Sequence, residues 1–148
     1  MRKQLPVLTG IAVGIALALG GYTFLYARGY SYLSNDPAAC ANCHVMQNHY
    51  SAWMKSSHRA VAVCNDCHTP PGLVPKYLVK AENGFRHSLA FTTQRFHEPI
   101  RITSGDLEVA EKACRKCHQA IVEAIEAPHA GVEPTSCVRC HATVGHLE

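Results

Sequence analysis

The sequence predicts a mainly α protein, with one N-terminal transmembrane helix in residues 1–28 and a small domain with little or no sheet in residues 29–148. Two observations carry this prediction: an uncharged apolar run near the N-terminus and four copies of one cysteine-histidine motif after it. The chain is also only 7% aromatic, with one Trp and four Phe, so the small domain has little apolar material for a core of its own.

The apolar run covers residues 5–27, 23 positions without a formal charge. About 20 apolar residues cross the hydrocarbon core as a helix, so this segment can span a membrane. Arg2 and Lys3 precede it, which favours a cytoplasmic N-terminus. The remaining domain is then exported to the periplasmic side of a bacterial cytoplasmic membrane.

A cleaved signal peptide is the alternative, because Ala16-Leu17-Ala18 resembles a small-x-small cleavage site. The apolar region of a signal peptide is usually about 7–15 residues long, which is shorter than this run. Tyr22 and Tyr26 also lie towards the end of the run, where aromatic residues mark the membrane interface. The sequence therefore favours a retained anchor.

All the cysteines of the chain belong to four copies of Cys-x-x-Cys-His. In this spacing two thiols can bond covalently to the vinyl groups of one haem while the adjacent imidazole reaches the iron. Zinc ribbons and disulfides are the alternatives, but neither requires a histidine after every second cysteine. The copies predict four c-type haems, attached through Cys40, Cys43, Cys64, Cys67, Cys114, Cys117, Cys137 and Cys140 and followed by His44, His68, His118 and His141.

Four covalent haems would also provide the apolar interior that the polypeptide lacks. The copies fall in two pairs, because Cys64 follows Cys40 by 24 positions and Cys137 follows Cys114 by 23. This spacing predicts a haem-packed multihaem cytochrome c domain built from two dihaem units. The haem propionates offset the formal charge of +3, so a nucleic-acid partner has little support.

An insert of distinct composition separates the two pairs. Its Pro70-Pro71-Gly72 signals a turn, and Pro75 suits the first turn of a helix through Lys76 to about Phe91. A solvated polar face is the ordinary outcome of such a pattern, and a functional face is the alternative. One face of this helix would carry Lys76, Lys80, Asn83 or Gly84, and His87.

Histidines outside the motifs are candidates for the second axial ligand of each iron. Their positions relative to the motifs favour His58 and His146, leave His129 open and disfavour His49 and His97. The first motif also has a thioether two residues after its histidine. The residues alone leave open whether His44 or Met46 binds the first iron, and Met46 could equally be a core contact.

Taken together, these residues resemble the NapC/NirT family of membrane-anchored tetrahaem quinol dehydrogenases, and within it the small subunits of cytochrome c nitrite reductases. The resemblance covers nearly the whole chain. Besides the anchor, it is carried by CANCHVM at 40–46, CNDCHTP at 64–70, KAENGFRHS at 80–88 and FHEPIRI at 96–102.

The resemblance implies ligands and a substrate site. Met46 would bind the iron of the haem nearest the membrane, and Lys80 with His87 would border a menaquinol pocket beside it. Some relatives have an acid at the position of His87, so His87 either caps the first iron or stands near it. His58 and His146 would be distal ligands.

One haem, the second, is less determined by the resemblance. Relatives often read His-x-Pro-His after the second motif, where this chain has Pro71. That departure leaves His129 or a lysine of the partner subunit to complete the iron.

The resemblance implies menaquinol oxidation, with electrons passing to the catalytic subunit of a periplasmic pentahaem nitrite reductase that makes ammonia, in a hetero-oligomer. Two alternatives remain on the residues alone. Quinol electrons could instead reach a nitrate reductase or several acceptors. The chain could also be a membrane-tethered electron carrier without a quinol site.

Overall fold

The computed structural model describes residues 4–129 and 135–146, with the side chain of His129 outside that description. The described residues form helices and turns and include no strand, which confirms the predicted mainly α class. The chain divides into two compact units, residues 1–31 and residues 32–148.

Helix α1 (Leu5–Tyr26) dominates the first unit. Its 22 residues rise about 33 Å, which matches the hydrocarbon thickness of a bilayer. Pro6 stands in the first turn, where its missing N–H leaves no helical hydrogen bond unmade. Tyr22 and Tyr26 stack in the last turns with ring centroids 5.9 Å apart. By length and composition, α1 can cross a membrane.

The second unit contains seven further α-helices among the described residues and several 3₁₀ turns. Helix α6 is its centre, since α4, α7 and α8 all pack on it, while α2 packs on α3 and α4. The helices are α2 (Pro37–Cys40), α3 (Gln47–Lys55), α4 (Cys64–His68), α5 (Leu73–Thr93), α6 (Ser104–Cys117), α7 (Gln119–Glu126) and α8 (Cys137–Cys140). The 3₁₀ turns are Gly29–Leu33, His44–Met46, Ser57–Ala60 and Ala127–His129.

Helix α5 begins and ends close to the predicted positions. It starts at Leu73, just after the Gly72 turn (φ 93°), so Pro75 lies in its first turn as expected. It ends at Thr93, where Gln94 adopts a left-handed conformation and donates from its side-chain amide to the Phe91 carbonyl.

The polar face of α5 is buried at Lys80 and exposed at His87. Lys80 is only 8% exposed, whereas Leu78, Phe85 and Leu89 on the other side are 64%, 69% and 51% exposed. The solvated-face alternative is therefore wrong at Lys80. Elsewhere in the described residues, the only buried apolar side chains are Ala52 and Ala110, so the polypeptide alone forms almost no apolar core.

One carboxylate joins α5 to the start of α6. Asp106 accepts hydrogen bonds from Thr103, the N-cap of α6, and from Asn83 on α5, and it pairs with Arg86 at 3.5 Å. Burial acts to raise the pKa of Asp106, but these hydrogen bonds and the Arg86 charge outweigh it and lower the pKa. The ionised carboxylate therefore fixes the first turn of α6 against α5.

Candidate haem and quinol sites

Each of the four cysteine motifs has a cysteine at the end of a helix. Cys40 ends α2, Cys64 begins α4, Cys117 ends α6, and Cys137 and Cys140 bound α8. In the last three motifs the two cysteines are three residues apart on a helix, so both thiols project from one face. All the cysteines are free thiols, and the described residues hold no group of three side chains arranged to bind a metal ion. The two thiols and the adjacent histidine of each motif are the donor set that thioether attachment of haem requires.

The motifs lie beside one another in chain order. The thiols of Cys40 and Cys64 are within hydrogen-bonding distance, which joins the first and second motifs. Burial and then the nearby thiol of Cys114 raise the pKa of Cys67, which places the second motif beside the third. Cys114 in turn lies close enough to Cys137 of the fourth motif for each thiol to shift the pKa of the other. The arrangement is a row rather than four separate sites.

In two places a motif histidine lies close to a histidine from outside the motifs. His58 lies against His118 with ring centroids 6.1 Å apart, and His146 lies against His68 with centroids 5.9 Å apart. Because metal–imidazole bonds are about 2 Å long, two axial imidazoles on one iron have ring centres roughly 6 Å apart. Both pairs therefore have the spacing that a bis-imidazole iron requires.

His49, which sequence position disfavours, lies beside the second of these pairs. Its ring meets that of His146 edge-on at 5.1 Å, and its backbone carbonyl lies 3.2 Å from Nδ1 of His146. A carbonyl at Nδ1 accepts the N–H there and leaves Nε2 free for a metal. The signal for this contact is tertiary, because residues 49 and 146 are far apart in sequence.

The other candidate ligands have fewer described neighbours. His44 is exposed and Met46 is half-buried at the two ends of one 3₁₀ turn. His97 is exposed between α5 and α6, and no ring contact links His141 to another described histidine. The expectation for His129 concerns a side chain outside the described part of the chain.

The side chain of Lys80 extends from α5 to Ser34 and Asn35, in the segment that precedes the first motif. Its ammonium donates to the Ser34 carbonyl at 2.5 Å and lies 3.5 Å from Oδ1 of Asn35. Asn65 of the second motif donates to the same two acceptors at 3.3 and 3.0 Å. Desolvation, and then the neighbouring Lys76 charge, lower the pKa of Lys80.

His87 contacts the same segment two turns further along α5. Its Nδ1 shares a hydrogen bond of 2.9 Å with the hydroxyl of Tyr32, whose ring lies on Gly84. Desolvation lowers the pKa of His87, so its imidazole is mainly neutral near pH 7. Burial and the nearby thiols of Cys43 and Cys40 raise the pKa of Tyr32 to about 12, which places this pair at the first motif.

Sequence reasoning missed the partners of Lys80 and His87. Asn65 occupies a variable position of its motif, and Asn35 and Tyr32 lie in a segment without helical periodicity. No spacing rule connects Asn35 and Tyr32 to α5, because 45 and 55 residues separate them from Lys80 and His87. Only the near-complete burial of Asn65 and Lys80, both 8% exposed, identifies the cluster.

Comparisons with known proteins agree with this architecture. The chain is 35% identical to the cytochrome c-type protein NrfH of Wolinella succinogenes, over 99% of this chain and 89% of that protein. It is 30% identical to the cytochrome c nitrite reductase subunit NrfH of Nitratidesulfovibrio vulgaris, over 90% of this chain and 84% of that protein.

A solved structure, the cytochrome c nitrite reductase NrfHA complex bound to the HQNO inhibitor, contains a chain with a similar fold. It superposes with a TM-score of 0.63 at 29% identity, over 95% of this chain and 90% of that one. The model of the NapC/NirT cytochrome c family, N-terminal region, matches residues 2–148. With that match over almost its whole length, the chain belongs to the NapC/NirT cytochrome c family.

Proposed function

We propose that this chain is a membrane-anchored tetrahaem cytochrome that oxidises menaquinol and passes the electrons to a periplasmic pentahaem nitrite reductase. The observation that carries the electron-transfer role is the row of four haem motifs, in which the cysteines of each motif lie near those of the next. The similarity to two nitrite reductase subunits supports the acceptor. The apolar α1 and the preceding Arg2 and Lys3 support an anchor with a cytoplasmic N-terminus.

The second and third irons would be held by side chains that the chain itself supplies. His118 with His58 would bind the third iron, since their 6.1 Å separation suits two axial imidazoles. His68 with His146 would bind the second, at 5.9 Å. This assignment replaces His129 and a partner lysine at the second haem, and it leaves those two as candidates for the fourth, beside His141.

At the first haem we assign Met46 as the axial ligand, following the family pattern, with His44 as the alternative. A thioether ligand raises the reduction potential of a haem relative to a second imidazole. A higher potential at the entry site favours the removal of the first electron from quinol. Haem supplies one-electron redox chemistry when bound, whereas the complete oxidation of one menaquinol releases two electrons and two protons.

Lys80 and His87 would bind and deprotonate the quinol. The Lys80 ammonium has three N–H donors, and Ser34 and Asn35 use those that face the chain, which leaves one to orient a quinol oxygen. The ammonium cannot accept a proton, but the lowered pKa of Lys80 increases the share of neutral amine, and that form would accept one quinol proton. His87, mainly neutral, would accept the other proton at Nε2. Both protons then leave on the exported side.

A plain electron carrier is the competing function, and reduction by quinol separates the two. The purified, haem-loaded chain in lipid vesicles is mixed with a menaquinol analogue, and the haem absorbance is followed. A quinol dehydrogenase is reduced without any protein donor. A carrier stays oxidised with quinol and is reduced only by a protein donor or by dithionite.

A second experiment identifies the protein that accepts the electrons. The tagged full-length chain is isolated from membranes under mild detergent, and the proteins that co-purify are identified by mass and haem content. A pentahaem protein that reduces nitrite when quinol is supplied supports the proposal. Recovery of a nitrate reductase in its place would favour the alternative acceptor.

A further inference from the structure

We propose that Tyr32 is a positioning residue for His87: its hydroxyl oxygen accepts the N–H of Nδ1, so that His87 presents the lone pair of Nε2 at the first haem site. This inference deepens the proposed quinol site and rests on it. The group that Nε2 engages is either the first iron or an oxygen of the quinol, because both require a directed imidazole nitrogen. The experiment below distinguishes them.

The ring of Tyr32 packs against the backbone of α5. It lies over Gly84, where an added Cβ would be 3.5 Å from the Cγ and Cδ1 atoms of the ring. This is ordinary van der Waals contact, so alanine would fit at this position and a larger side chain would displace the ring. The glycine thus lets an aromatic ring lie directly on the helix backbone.

The hydroxyl reaches His87 because Gly84 and His87 are three residues apart on α5 and share a face. The distance from the Tyr32 oxygen to Nδ1 is 2.9 Å, which is a full hydrogen bond, and the two ring centroids are 6.3 Å apart. An imidazole has two nitrogens, and a partner at one decides what the other can do. With Nδ1 engaged, the chemistry of His87 is confined to Nε2.

The location of the pair is given by the residues around it. Tyr32 lies near Cys40 and Cys43, the two cysteines of the first motif. The same short segment holds the other proposed quinol group, because the Ser34 carbonyl accepts from Lys80. Residues 32–35 therefore hold both functional side chains of α5: Tyr32 contacts His87, and Ser34 and Asn35 contact Lys80.

The test compares Tyr32→Phe, His87→Ala and the double variant in the full-length, haem-loaded chain. Phenylalanine keeps the ring on Gly84 and removes only the hydroxyl. Tyr50→Phe serves as the matched control, since Tyr50 packs on Trp53 with centroids 5.8 Å apart, away from α5. For each variant, kcat and KM with a menaquinol analogue are measured with excess ferricyanide as the electron acceptor, together with the spin-state spectrum of the haems and thermal unfolding.

We expect Tyr32→Phe to lower kcat/KM by about fivefold to tenfold, the usual effect of losing one hydrogen bond that orients a functional group. Haem content and thermal unfolding should match those of Tyr50→Phe. In the His87→Ala background, the same Tyr32→Phe change should alter kcat/KM less than about twofold, since no imidazole remains to be positioned. A changed spectrum of one haem identifies the iron as the partner of Nε2, and a changed KM with an unchanged spectrum identifies the quinol.

Equal losses from Tyr32→Phe with and without His87 would overturn the inference, because the tyrosine would then act by packing alone. So would a Tyr32→Phe variant that matches the wild type in rate and spectrum. If the wild type is not reduced by the quinol analogue, the proposed function fails. The spectrum then decides on Tyr32 by itself: a change at one haem that depends on His87 supports the positioning role, and no change refutes it.

Discussion

Single residues decide how the row of motifs connects to the proposed quinol site. Asn65 is a variable residue of the second motif, yet it is 8% exposed and donates to the two acceptors that also hold Lys80. Its amide therefore links the attachment site of one haem to a side chain proposed to act beside another. The motif pattern predicts the cysteines and the histidine at this site but nothing about the residue between them.

Replacing Asn65 with leucine should loosen the segment that carries Ser34 and Asn35. Oδ1 of Asn35 and the Ser34 carbonyl lose the donor that the buried Asn65 amide provides, so we expect stability to fall by about 1–2 kcal/mol and KM for the quinol analogue to rise. Thermal unfolding and steady-state kinetics measure the two effects. Asn48→Leu, at an exposed position of α3, is the control, and equal behaviour of the two variants would refute the role of Asn65.

His146 gives a second prediction at this scale. If it binds the second iron opposite His68, His146→Ala should convert one haem in four from low to high spin, because one axial ligand is lost. Low-temperature electron paramagnetic resonance measures the change. His97→Ala, at an exposed position, should leave the spectrum unchanged. A fully low-spin His146→Ala protein would contradict the assignment.

At the scale of elements, α8 is too short to stabilise itself and depends on a carboxylate from α6. Glu111 accepts hydrogen bonds from the Ser136 hydroxyl and from the backbone amides of Cys137 and Val138. Those amides belong to the first turn of α8 and have no partner within the helix. Burial acts to raise the pKa of Glu111, but the hydrogen bonds outweigh it and lower the pKa to about 2.

The lowered pKa of Glu111 sets a pH window for the stability of the fourth motif. A carboxyl with a lower pKa in the folded state contributes fully above its ordinary pKa of 4.5. The contribution is lost as pH falls from about 4.5 towards 2. Glu111→Gln should therefore cost about 1 kcal/mol at pH 7, after allowance for solvent screening, and the cost should shrink below pH 4. Thermal unfolding across this range measures it, and a pH-independent difference would contradict the cap.

Sequence patterns predict elements well where local chemistry sets them and poorly where tertiary contacts do. The Gly72 turn and Pro75 locate the start of α5 within two or three residues, and the charge-free run locates α1. The orientation of α5 was not predictable in the same way. Lys80 points inward because Ser34 and Asn35 offer acceptors for its ammonium, and those acceptors lie 46 and 45 residues away.

At the scale of the molecule, the haem motifs determine what holds the domain together. With only Ala52 and Ala110 as buried apolar side chains among the described residues, the polypeptide cannot offset its conformational entropy by burial alone. The chain produced without haem attachment should therefore unfold without a cooperative transition and be digested rapidly by protease. Circular dichroism and limited proteolysis measure this, with the haem-loaded chain as control. A cooperative transition in the haem-free chain would contradict the account.

In the proposed mechanism, quinol electrons enter beside the first motif, where Lys80 orients the substrate. Its most direct test is the rate of haem reduction by a menaquinol analogue in stopped flow, comparing the wild type with Lys80→Leu and with Lys112→Leu, whose lysine is exposed on α6. We expect Lys80→Leu to slow reduction by quinol at least about tenfold, since it loses a charged hydrogen-bond donor. Reduction by dithionite and the Lys112→Leu rate should stay at wild-type values. Wild-type quinol rates in Lys80→Leu would contradict the account.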